Sequence, residues 1–187
     1  MAQDLFAEQG FAATSVRAIA EGVGVTVPAL YYHFGSKRGI MLALVQDHCS
    51  RRQAQVLAAL EGTGSCADRL REALAAYSRL MAAESPTATV VHRDPSLFAD
   101  VELRGIVFAA ERVLADRLGA IIAQGTAAGE FRPLEPGQVS LLLLAAARAA
   151  HFSRPQWGSA YEPDELAATL NELVLGGLLR RPRTSRE

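Results

Sequence analysis

The stretch Thr14-Ser-Val-Arg-Ala-Ile-Ala-Glu-Gly-Val-Gly-Val-Thr-Val-Pro-Ala-Leu-Tyr-Tyr-His-Phe-Gly-Ser-Lys37 decides how the rest of the chain is read. It holds two short apolar patterns at helical spacing, first Val16, Ile19, Ala20 and Val23, then Leu30 and Phe34. Thr14 is the expected N-cap of the first helix, and Gly24 ends it. Thr26 caps the second, with Val27 and Pro28 in the first turn, where a missing N–H costs little. Ala20 is small where the two helices would cross, Gly24 permits a sharp turn, and burial of Ile19, Val23, Val25 and Leu30 would lock the angle. The result is a helix-turn-helix between Ser15 and Phe34, a geometry that can set its second helix in a major groove.

Reading outward, Ala2, Leu5 and Phe6 keep a helical period over residues 2–9 until Gly10. Beyond Phe34, Gly35 closes the second helix. Ser36 then caps a long one from Lys37 to Leu60 that carries Ile40, Leu44, Val45, His48 and Val56 on one stripe. Further helices are predicted from Cys66 to Glu84, Val101 to Ala128, Gln138 to Phe152 and Asp164 to Leu179. The segment Ser85–Ser96 contains Pro86 and Pro95 and is expected to hold one short helix at most. This pattern predicts an all-α fold of about nine helices, a three-helix head joined to a helical bundle.

Composition narrows the function classes. The chain has 187 residues, half of them hydrophobic, with 19 basic and 20 acidic side chains. A general nucleic-acid coat would be strongly basic. Even residues 1–47 carry three basic and four acidic side chains, so DNA binding here must rest on placed contacts. Cys49 and Cys66 have neither metal-ligand nor disulfide-framework spacing, and are read as packed thiols. No cofactor or metal is expected. His33, His48, His92 and His151 are scattered, and no nucleophile–base pair or phosphate loop stands out, so an enzyme is not expected. The apolar run Pro136–Ala147 is too short for a bilayer, which needs about 20 residues. No signal peptide is read after Met1, and the expected location is cytoplasmic.

The runs Leu5-Phe-Ala-Glu-Gln-Gly-Phe11, Thr14-Ser-Val-Arg-Ala-Ile-Ala20, Gly24-Val-Thr-Val-Pro-Ala-Leu-Tyr-Tyr-His-Phe34 and Ser36-Lys37 closely resemble the TetR family of bacterial repressors. The likeness covers roughly residues 2–47. The segment Gly125–Arg132 is similar to the family's junction before its dimer helices. The family's first helix usually begins further upstream, behind a basic arm, so Met1 falls near that helix's middle. The resemblance implies a DNA-binding domain over 1–47 and an effector-binding and dimerisation domain over 48–187. It implies that Ser15 and Arg17 meet the DNA backbone or a base edge. Thr26, Val27, Pro28 and Ala29 would open the recognition helix toward the groove, and Tyr31, Tyr32 and His33 would reach phosphates. Lys37 would clamp another phosphate. The chemistry agrees, since Arg chelates guanine and apolar side chains pack on thymine methyls.

The implied partners are double-stranded operator DNA, a second copy of the chain and a small effector. Helix 138–152 is apolar nearly all round and rich in alanine, and the last helix carries Gly176-Gly177. Small residues let helices approach closely, so the last two helices are expected to form a four-helix homodimer interface. Tyr77, His92, Phe108 and Arg148 are candidates to line an effector pocket, with Met81, Phe98 and Trp157 beside them. Arg148 interrupts an apolar helix and needs a partner: an acidic ligand, Glu102, Glu111 or Asp116. The expected function is a ligand-responsive repressor on a near-palindromic operator, released by an apolar or amphipathic effector. The alternative is a helical dimerisation or ligand-binding module with a degenerate DNA head.

Overall fold

A computed structural model describes residues 1–83, 85–152 and 163–179. Ten α-helices occur among the described residues: α1 Ala2–Gln9, α2 Val16–Val23, α3 Val27–Phe34, α4 Lys37–Leu60, α5 Cys66–Ala82, α6 Pro86–Arg93, α7 Pro95–Phe98, α8 Val101–Ala127, α9 Pro136–Phe152 and α10 Pro163–Leu178. The all-α expectation holds. The single extended pairing among these residues is an isolated antiparallel bridge, Phe131 with Leu179.

Several local expectations are corrected. Ser15, not Thr14, caps α2, accepting from the Ala18 N–H. Thr14 is buried, and its hydroxyl donates to the Gly10 carbonyl at 2.8 Å. The segment around Pro86 and Pro95 forms two helices, because each proline is the first residue of its helix, where its ring is tolerated. Val23 and Val25 are 43% and 45% exposed, and Phe34 is 39% exposed. Ile19, Ala20 and Leu30 alone carry the burial within the helix-turn-helix. An eight-residue helix has room for only two or three inward positions.

The chain divides into two compact units, Met1–Arg51 with Glu84–Ala110, and Arg52–Ala83 with Glu111–Glu187. The core of the first unit joins Phe6, Ile19 and Leu30 to Ile40, Met41 and Val45 of α4, and to Val90, Leu97 and Leu103 from the second stretch. α1 packs on α6 as well as on α2. Phe6 is fully buried, which stabilises the unit by about 1.5–3 kcal/mol relative to an exposed ring.

In the second unit α10 packs on α5 and α9, around Leu70, Leu74, Tyr77, Leu118, Ile122 and Phe131. The junction after α8 is tight. The Glu130 carboxylate turns back to accept from the Cys66 and Ala67 N–H groups at 3.2 and 3.1 Å. Those N–H groups open α5 and have no partner within the helix, so the carboxylate satisfies them and meets the positive end of the dipole. Gly125 permits this closeness. A Cβ there would lie 2.4 Å from the Phe131 ring and 2.9 Å from the Cys66 Cβ.

Gly125→Ala sets two effects against each other. Alanine in a helix gains about 1 kcal/mol over glycine, whereas overpacking a filled core costs about 1–3 kcal/mol. The clash is with two buried groups, so net destabilisation is expected on urea unfolding. An unchanged or raised midpoint would show that Phe131 yields freely.

Candidate nucleic-acid interface

The turn between α2 and α3 is made by Gly24, whose backbone is left-handed at φ 73° and ψ 31°. The Val25 N–H donates to the Ala20 carbonyl at 3.0 Å, closing the end of α2. Thr26, in extended conformation, accepts from the Ala29 N–H at 3.3 Å and starts α3. With Leu30 turned into the core, the opposite side of α3 is left to solvent. Tyr32 is 86% exposed and Tyr31 49%. Pro28 and His33 are also exposed, whereas Val27 and Ala29 are half-buried. Tyr32 and His33 stand edge to face with ring centroids 5.3 Å apart.

Ser15 and Arg17, at the start of α2, are exposed as well. The Arg17 guanidinium is held along the helix by Glu21, Nε to Oε1 at 2.9 Å. The pair is exposed, so breaking it costs little. Lys37 lies differently. Its ammonium donates to the Phe11, Ala12 and Thr14 carbonyls at 2.8, 2.9 and 3.0 Å. Ser15, Arg17, Thr26, Pro28, Tyr31, Tyr32 and His33 are thus exposed together on the head, with Val27 and Ala29 half-covered.

One anchor of this unit was not anticipated from the sequence. Arg38, next to Lys37, grips Asp100 through two hydrogen bonds of 2.6 and 2.8 Å and reaches Glu102 at 2.9 Å. Asp100 also caps α8, accepting from the Glu102 and Leu103 N–H groups at 2.9 and 3.1 Å. The Arg38 guanidinium and these N–H groups hold the Asp100 carboxyl well below the usual carboxylate range. An aspartate just before a helical run is a cap signal; its partner sixty-two residues away has no local signal.

The candidate effector residues fall in different places. Tyr77 is fully buried in the second unit, and its hydroxyl has no hydrogen-bond partner among the described residues. The Arg52 guanidinium lies 5.6 Å from its ring centroid, and burial pushes the phenol's pKa up. Arg148 pairs with Glu111 at 2.8 Å, one of the three carboxylates considered for it. Met81 is buried there too. Phe98 and Phe108 belong to the first unit and are 61% and 59% exposed. The His92 side chain and Trp157 lie outside the described residues. On α9, Leu141 and Leu142 are 64% and 68% exposed, and on α10 Leu173 is 71% exposed. Gly176 and Gly177 border open space. Cys49 and Cys66 are buried. Among the described residues no cluster suits a metal ion, and no helix is long and apolar enough to cross a membrane.

Residues 1–44 match the profile of bacterial regulatory proteins of the tetR family, and residues 63–178 match the tetracyclin repressor-like C-terminal domain. The HTH-type transcriptional activator FasR of Mycolicibacterium smegmatis is 37% identical over 76 residues, 41% of this chain and 35% of that protein. The HTH-type transcriptional repressor KstR2 of Mycobacterium tuberculosis is 34% identical over 71 residues, 38% of this chain and 36% of its own. The matched stretch thus spans about a third of these curated relatives. The solved structure of KstR2, described as a ketosteroid transcriptional regulator, superposes with a TM-score of 0.68 at 23% identity, covering 96% of this chain and 92% of that one. FadR of Bacillus subtilis, solved in complex with stearoyl-CoA, gives a TM-score of 0.76 at 18% identity, covering 94% and 95%. These two superpositions establish likeness of fold.

The Arg38–Asp100 pair predicts an acid response. A carboxylate whose pKa is lowered in the folded state adds stability above its unfolded value, about 3.9, and loses it as pH falls toward the folded value. Asp100→Asn should therefore lower stability at neutral pH and flatten its decline below about pH 4. Urea midpoints measured at a series of pH values check this; a parallel decline in both proteins would refute it.

Proposed function

The chain belongs to the tetR family of bacterial regulatory proteins, and on that premise we propose that it is a ligand-responsive transcriptional regulator, a repressor, acting on operator DNA. The family is one of regulators, not enzymes. The observation that carries the reading is the exposed face of α3 and the start of α2. Aromatic, hydroxyl and guanidinium groups converge there on a head whose inward positions are already filled. In this reading residues 1–47 are the DNA-binding domain and 48–187 the effector-binding and dimerisation domain. Val27, Pro28 and Ala29 face thymine methyls, Arg17 leaves Glu21 for guanine or phosphate, and Ser15, Thr26, Tyr31, Tyr32 and His33 hold the backbone.

A near-palindromic operator demands two heads about 34–36 Å apart, which one chain does not supply. The exposed Leu141, Leu142 and Leu173 and the bare surface at Gly176-Gly177 support a homodimer through α9 and α10. The effector is proposed to be apolar or amphipathic. Support comes from the second unit, where the Tyr77 hydroxyl, without a hydrogen-bond partner among the described residues, sits in an apolar core with the Arg52 guanidinium over its ring. A buried polar atom without a partner is costly, and a ligand's polar group would satisfy it. Stearoyl-CoA in FadR and the ketosteroid link of KstR2 are amphipathic or apolar chemistry on this fold. Ligand binding would shift the population of head spacings and so release DNA. Operator binding places the working protein in the cytoplasm.

A labelled duplex from the DNA flanking its own gene tests the reading. Arg17→Ala and Tyr32→Ala should each weaken binding by about tenfold and leave thermal stability within about 0.5 kcal/mol. Full affinity in both variants would refute the assigned face. In sedimentation at micromolar concentration the native chain should run as a dimer and Leu141→Glu/Leu173→Glu as a monomer. A native monomer would remove the interface.

A further inference from the structure

We propose that Lys37 is a positioning residue for DNA recognition, an internal clamp on the segment between α1 and α2, and not one of the groups that touch phosphate. The inference rests on the DNA-binding reading above and changes what one of its basic residues does.

An ammonium group has three N–H donors and no acceptor. All three are engaged at good distance by the carbonyls of Phe11, Ala12 and Thr14. The Phe11 ring covers another side of the same cation, with Nζ 4.8 Å from its centroid, within the reach of a cation–π contact of about 6 Å. Phe11 in turn leans on the buried Phe6, ring centroids 5.4 Å apart. None of the three carbonyls accepts a backbone N–H among the described residues. Lys37 is the donor that satisfies them.

The segment is tied from its other side as well. The Thr14 hydroxyl donates to the Gly10 carbonyl at 2.8 Å and the Leu5 carbonyl at 3.2 Å. Two side chains, Thr14 and Lys37, thus take up the carbonyls of residues 5, 10, 11, 12 and 14. The next residue is Ser15, the cap of α2. The clamp therefore sets where α2 begins and which way Ser15 and Arg17 face. Moving the ammonium to a phosphate would exchange three charge-assisted bonds for one contact in a solvated, salt-screened setting, and would strand two part-buried carbonyls.

Two variants of the full chain separate clamp from contact. Lys37→Met removes the donors. Lys37→Arg keeps the charge, but its planar fork does not direct three donors into one carbonyl cup. Hydrogen exchange in the absence of DNA should show amides 11–18 exchanging about tenfold faster in both variants, the loss of one charge-assisted bond or more. Rates equal to the native chain would overturn the clamp, and where Lys37→Met does not fold, Lys37→Arg decides. On a duplex from the DNA flanking its own gene, both variants should bind about tenfold more weakly with an unchanged slope of log K against log salt, because no phosphate contact is lost. Native affinity for Lys37→Arg, together with a slope shallower by about 0.9 for Lys37→Met, would make Lys37 a phosphate ligand and overturn the proposal. If the native chain ignores that DNA altogether, the DNA-binding reading fails by itself, and the exchange measurement still judges the clamp.

Discussion

Three helices of eight residues each cannot keep their shape separately in water. Everything in the N-terminal unit follows from that constraint. Each short helix gives one or two side chains to a shared core: Phe6 from α1, Ile19 and Ala20 from α2, Leu30 from α3. They close on Ile40, Met41 and Val45 of α4, which is long enough to act as a support. Caps at Ser15 and Thr26 and the left-handed Gly24 fix the ends, so the little burial available is spent on one arrangement. The unit also draws on residues 84–110, whose Val90, Leu97 and Leu103 fill its remaining side.

The helices were legible because they depend on local chemistry. Periodicity, caps and glycines placed nearly every boundary within a residue or two. Thr14 and Ser15 show where that stops. Both can cap, and only the packing of α1 shows that Thr14 is drawn inward to the Gly10 and Leu5 carbonyls. Pro86 and Pro95 read as breakers and act as helix openers, since the same ring that interrupts a helix suits its first turn. Val23 and Val25 carried the right chemistry for burial, but Val23 is the last residue of the short α2 and Val25 lies beyond it in the turn, and both stay exposed. Which distant stretches share a core has no local signature, and neither has the Arg38–Asp100 grip.

The site was legible as a set of exposed chemistries and less so as a set of roles. Tyr31, Tyr32 and His33 are exposed because Leu30 is the inward residue, a fact that spacing alone conveys. Lys37 and Arg38 look alike as neighbouring cations. One is committed to backbone carbonyls and the other to carboxylates. Charge counted along a sequence does not reveal how much of it is already spoken for. In the second unit, Arg148 had three acidic candidates and took Glu111, while the Tyr77 hydroxyl and Asn171 Oδ1 are buried polar atoms without a hydrogen-bond partner among the described residues.

The division of labour on α3 has a consequence for how such a protein diversifies. Leu30 and the half-buried Val27 hold the helix, while Tyr31, Tyr32 and His33 bear almost no structural duty. Replacements at those three positions are therefore nearly free of folding penalty. A duplicated gene can drift through them, changing the chemistry of the exposed face of α3 while the scaffold beneath stays untouched.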